Sequence, residues 1–64
     1  MITVNGVAQE HLDEMVDDLV RRLGIEPRGI AVAIDGEIIR RADWGSTPVN
    51  NQSAIEIVTA VAGG

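Results

Sequence analysis

The sequence predicts an α+β fold in which a mixed sheet of four to five strands holds one main helix across one face. Two short apolar segments each turn back on themselves through an Asn-Gly or Asp-Gly pair, at Asn5-Gly6 and Asp35-Gly36; such pairs are the strongest local signal for a two-residue hairpin. Between them lies one stretch with apolar residues at helical spacing. A last alternating run, Ala54 to Ala60, supplies a further strand.

Taken in order, Met1-Ile2-Thr3-Val4 alternates in strand fashion, and Val7-Ala8-Gln9 forms a short return strand after the turn. From Leu12 the apolar positions fall at Leu12, Met15, Val16, Leu19, Val20 and Leu23, the spacing of a helix with one buried face. Asp13 and Glu14 are placed in its first turn and Arg21 and Arg22 in its last, matching the helix dipole, with Asp17/Arg21 and Asp18/Arg22 as i,i+4 pairs. Gly24 is the expected stop, and Pro27 prevents an easy restart. The continuous apolar run Gly29 to Ile34 reads as a strand buried on both faces at the centre of the sheet. Glu37-Ile38-Ile39 returns from the Asp35-Gly36 turn, and Arg40 to Trp44 reads as an irregular or one-turn helical connection. Pro48 then sets an extended entry to the last strand.

Sixty-four residues make one small domain, with residues 1–60 as its body and 61–64 as a flexible tail. Forty-five per cent hydrophobic residues argue for a packed core. A net charge of −5, with five arginines and no lysine, speaks against nucleic acid and favours a basic groove on a partner protein. The absence of cysteine excludes disulfides, thiol nucleophiles and thiolate metal sites. No apolar run approaches a membrane span and no signal peptide is visible, so the expected setting is the cytoplasm and the expected free state a monomer.

Few internal side chains invite a chemical role. Asp13, Glu14, Asp17 and Asp18 cluster on the expected helix but read as a solvated face, without a further ligand to complete a metal shell. His11, the single histidine, is assigned a capping or surface role, Arg40 and Arg41 are read as solvated loop charges, and Trp44 as a lid on the core. No catalytic residue, metal site or bound cofactor is expected. The working part is instead Val61-Ala62-Gly63-Gly64, which follows directly from the last strand. Fully extended, those four residues reach roughly 13 Å, far enough to enter a partner's active site. A glycine carboxylate has no Cβ beside it, so it threads a narrow slot. It is inert while ionised, and ATP-dependent adenylation in a partner with Mg²⁺ is the usual activation.

Hairpin, helix and returning strands make up the β-grasp arrangement, whose first and last strands are parallel neighbours. The chain resembles the ThiS sulfur carrier proteins of thiamine biosynthesis, in the ubiquitin-like β-grasp superfamily, over almost its whole length. The matching stretches are Ile2 to Gly6, Ile30 to Ile39, Arg41-Ala42-Asp43-Trp44 and Ile55 to Gly64. Arg40 stands where family members often have proline, and Asn50-Asn51-Gln52-Ser53 where they often have an acidic-Gly-Asp turn.

The resemblance implies that Gly64 is adenylated by a ThiF-type adenylyltransferase using ATP and Mg²⁺. A thiocarboxylate formed there would then pass sulfur to a ThiG-type thiazole synthase, with Val61, Ala62 and Gly63 threading the partner's active site. The protein would be a co-substrate and no enzyme. A sulfur carrier for molybdopterin or cysteine synthesis, a ubiquitin-like modifier conjugated through Gly64, and an interaction module with an idle tail are the alternatives. Ile57, Val58 and Val61 are candidates for docking the activating partner, provided they are exposed.

Overall fold

In the computed structural model, which describes residues 1–59, Asn5 and Gly6 have φ of +51° and +83°. Both values lie in the left-handed region that a type I′ turn requires. Ile2–Val4 (β1) therefore folds straight back onto Val7–Gln9 (β2), with Val4 opposite Val7. Asp35 and Gly36, at φ +50° and +86°, do the same for Ile30–Ile34 (β3) and Glu37–Ile39 (β4). The last strand, Ala54–Thr59 (β5), lies parallel to β1 and antiparallel to β3, which gives a five-stranded mixed sheet in the order β2-β1-β5-β3-β4. The expected parallel pairing of first and last strands is present, with Val4 beside Ile55.

The middle of the sheet belongs to β5, and β3 is second from the edge. Expecting β3 to be central and buried on both faces was therefore wrong. Only its Val32 is buried, since β3 is packed on the helix side and open on the other. Its continuous apolar character comes from Ala31 and Ala33, small residues that are tolerated on a half-exposed face.

The helix α1 spans Val16–Arg22 and starts four residues later than its apolar spacing suggests. Met15 is extended (φ −89°, ψ 169°) and bridges Pro48, with Val16 N–H donating to Thr47 C=O at 2.9 Å and Val49 N–H to Glu14 C=O at 3.0 Å. Those pairings claim the backbone of residues 14 to 16, so tertiary hydrogen bonds override the helical periodicity there. Leu12 and Met15 are consequently exposed, whereas Val16, Leu19 and Val20 are buried against the sheet. After Arg22, Gly24 N–H donates to Arg21 C=O and Ile25 N–H to Val20 C=O, the two bonds of a Schellman stop.

The expected i,i+4 ion pairs are absent among the described residues. With Glu14 outside the helix, its carboxylate reaches Arg22 instead, at 2.7 Å to Nη2 and 3.1 Å to Nε, a forked pair across eight positions. Asp18 bonds Arg21 at 3.2 Å and also accepts the Met15 N–H, satisfying one free donor of the helix start.

Ile2, Val4, Val16, Leu19, Val20, Val32, Val49, Ile55 and Ile57 fill the core, and Trp44 closes it. Trp44 sits in a 3-10 segment, Arg41–Ser46, and its indole N–H donates to Ile39 C=O at 3.0 Å. The reading of Trp44 as a lid holds. The division drawn between residues 60 and 61 lies outside the described residues.

Hydrogen bonding to Glu14 raises the Arg22 pKa above its usual value, and partial burial offsets some of that rise. A raised pKa means that the stabilisation linked to the Arg22 proton is complete below the unfolded-state value and fades as pH climbs through the folded one, in strongly alkaline solution. Glu14→Gln is expected to lower the unfolding free energy by about 0.5–1 kcal/mol, by the same amount on either side of neutrality. Urea titrations at mildly acidic and mildly alkaline pH check this, and a loss that differs between them would contradict it.

Candidate functional site

Gly64 and the three residues before it, Val61, Ala62 and Gly63, lie outside the described residues. What the structure describes is the body that carries them and the strand that leads there. In β5 the burial alternates from Ala54 to Val58: Ile55 and Ile57 face the helix and are buried, whereas Ala54, Glu56 and Val58 are exposed, as is the last described residue, Thr59. Of the docking candidates, Ile57 is therefore excluded by burial at 8% exposure, Val58 qualifies at 57%, and Val61 lies outside the described residues.

Val58 belongs to a larger surface on the face turned away from α1. Across the strands Val58 pairs with Ala31, while Ala33 is flanked by Glu56 on one side and Ile38 on the other. The small side chains of Ala31 and Ala33 leave a shallow trough of about 190 Å³ between the exposed Ile38 and Val58. Glu56 is its one charged lining residue. Two exposed branched residues rimming a floor of alanines suit contact with an apolar partner surface. Ile38 and the two alanines went unnoticed in the sequence as site residues. Their signal was the strand pairing, which brings β3, β4 and β5 side by side only in three dimensions.

A roomier cleft of about 300 Å³ opens on the helix side, lined by Asp17, Arg21, Pro27, Arg41 and Trp44 among others. It shows that Arg41 is no free loop charge: its guanidinium stacks over the Trp44 ring at 4.8 Å and donates to Pro27 C=O at 3.1 Å. None of the residues that line it belongs to β5, and of its two arginines Arg41 is held by these contacts while Arg21 bonds Asp18.

The other residues weighed in the sequence fall into structural roles. His11 Nε2 lies 2.8 Å from Val49 C=O and ties the loop after β2 to the segment before β5, instead of capping the helix. The four carboxylates near the helix are dispersed, and no group of three or more His, Cys, Asp or Glu able to hold a metal occurs among the described residues. Nor is any described helix long and apolar enough to cross a membrane. The Asn50 to Ser53 turn is well held: Asn51 Oδ1 accepts the terminal ammonium of Met1 at 2.7 Å, and Gln52, at φ +68°, donates to Met1 C=O.

Among the described residues, one α-helix on a five-stranded mixed sheet with parallel first and last strands defines a small ubiquitin-like β-grasp protein. The same fold is found in the crystal structure of the thiamine biosynthesis protein ThiS from Geobacter metallireducens, with a TM-score of 0.82 and 25% identity over 98% of this chain and 97% of that one. The ThiS family matches residues 2–64, and the chain belongs to that family, the sulfur carriers of thiamine biosynthesis. No curated protein matches the sequence.

The contrast between neighbouring residues of β5 is testable by substitution. Val58→Glu is expected to change the unfolding free energy by less than about 0.5 kcal/mol, whereas Ile57→Glu, burying an unpaired carboxylate, should cost more than about 3 kcal/mol. Denaturant unfolding of the two variants checks this, and equal losses would contradict the assigned faces.

Proposed function

We propose that this protein carries sulfur on the carboxyl group of Gly64 and delivers it for thiazole formation. The observation that supports this most directly is continuity. The family match runs through Gly64, and the segment it ends on follows without interruption from the strand held at the middle of the sheet.

The chemistry follows from the carboxylate's inertness. One of its oxygens attacks the α-phosphorus of ATP in a ThiF-type adenylyltransferase, pyrophosphate leaves, and Mg²⁺ balances the charge on the departing group. A sulfur nucleophile then adds to the acyl-adenylate, AMP departs, and a thiocarboxylate remains on Gly64. A ThiG-type thiazole synthase receives the sulfur. This protein's contribution is binding and delivery. Val61, Ala62 and Gly63 form the slender lead, and the trough between Ile38 and Val58 is where the body meets the activating partner.

Intact mass spectrometry of the untagged protein, incubated with ATP, Mg²⁺ and a ThiF-type enzyme, tests the reading. An adenylyl adduct is expected, followed by exchange of one oxygen for sulfur once a sulfur donor is added; no adduct with an enzyme of proven activity would overturn it. Gly64→Ala should slow adduct formation at least about tenfold by adding a Cβ where the slot is narrow. On the same reading Val58→Glu should raise the KM for the carrier several-fold with kcat little changed, since a docking contact far from the reacting carboxylate contributes binding in ground and transition states alike.

A further inference from the structure

At the end of β1 the chain must do two incompatible things. Pairing with β5 wants the backbone of residue 5 to stay extended and present its C=O to Ile57, yet the hairpin needs residue 5 at a positive φ. Asn5 turns, at φ +51°, and its side chain takes over the pairing. Its main-chain N–H still donates to Ile55 C=O at 2.8 Å. Its side-chain Oδ1 then accepts the Ile57 N–H at 2.9 Å, and its Nδ2 donates to the Ile57 C=O at 3.0 Å. A primary amide offers the same donor and acceptor as a peptide group, so the ladder continues for one further residue without a strand. Among the described residues, Ile57 is the last position of β5 bonded on its β1 side.

The geometry points to Asn5 as a positioning residue for the carboxyl-terminal segment, 52 positions away in sequence. Its amide fixes the backbone of Ile57, two residues before the end of the described strand, and so holds the strand from which the carboxyl-terminal segment continues. The turn alone does not require asparagine, because Asp serves the equivalent turn at Asp35. There the requirement is different: the Asp35 main-chain N–H donates to Ala54 C=O, and its carboxylate needs only to accept the Ala54 N–H. At position 5 both a donor and an acceptor are needed, which Asn supplies and a carboxylate does not. The inference rests on the carrier reading for its functional consequence and on the hydrogen bonds alone for its structural one.

Two variants separate the roles. Asn5→Gly keeps the left-handed turn and removes the amide; Asn5→Asp keeps the acceptor but sets a carboxylate oxygen against the Ile57 carbonyl. Hydrogen exchange followed by NMR on the protein alone should show the Ile57 amide exchanging at least about tenfold faster in Asn5→Gly, beyond any rise at the core amide of Val32. An equal rise at both positions would mean a general loss of stability and would overturn the proposal. With an ATP-dependent adenylating enzyme, both variants should lose kcat about fivefold or more while KM for the carrier stays within about twofold, since the docking face is intact. Unchanged kcat would overturn the positioning role even if exchange accelerates. Failure of the wild-type chain to be adenylated would instead overturn the carrier reading, and the exchange result would still decide whether Asn5 holds the strand.

Discussion

The structure depends on how β5 is gripped. The two hairpins, β1-β2 and β3-β4, have no strand pairing with one another among the described residues; within the sheet they are joined by β5. Asp35, in the turn of the second hairpin, exchanges two hydrogen bonds with Ala54 at the start of β5, and Asn5, in the turn of the first, exchanges two with Ile57 near its end. Each turn residue thus closes a reversal of its own hairpin and anchors the shared strand. Between those anchors Ile55 and Ile57 point into the core beneath Val16, Leu19 and Val20. A strand bonded on both flanks and packed from one side has little freedom.

The same placement creates the outer face. A period of two sends Ile55 and Ile57 inward and Glu56 and Val58 outward. Because β3 contributes alanines beside them, the outward side is a trough instead of a ridge. One strand therefore serves both the core and the exposed trough.

Much of this was legible in the sequence, and the parts that were not share a cause. Asn5-Gly6 and Asp35-Gly36 announced both hairpins because a type I′ turn is specified by two adjacent residues. Trp44 announced itself as a core lid because so large a side chain has few alternatives in a small domain. The start of α1 was misplaced because Leu12 and Met15 continue the apolar spacing while residues 14 to 16 are claimed by a bridge to residues 47 to 49, which no local pattern displays. The rank of β3 was misjudged for a related reason. A run of alanine and β-branched residues looks the same on a central strand as on one whose outer face is open. Of the candidate site, Val58 was offered by the sequence only together with Ile57 and Val61, and Ile38, Ala31 and Ala33 join it only through pairings across strands. The double role of Asn5 was hidden most completely, since turn propensity already explained the residue.

Strand order also bears on how the molecule comes into being. The central strand is among the last segments to be synthesised, and its partners β1 and β3 precede it by roughly fifty and twenty-five positions. Until it emerges the two hairpins have no strand between them to pair with, so the contacts that close the sheet are of long sequence separation. A chain interrupted before β5 has two hairpins and no five-stranded sheet. Completion of the sheet is thereby tied to the last of its strands to be made.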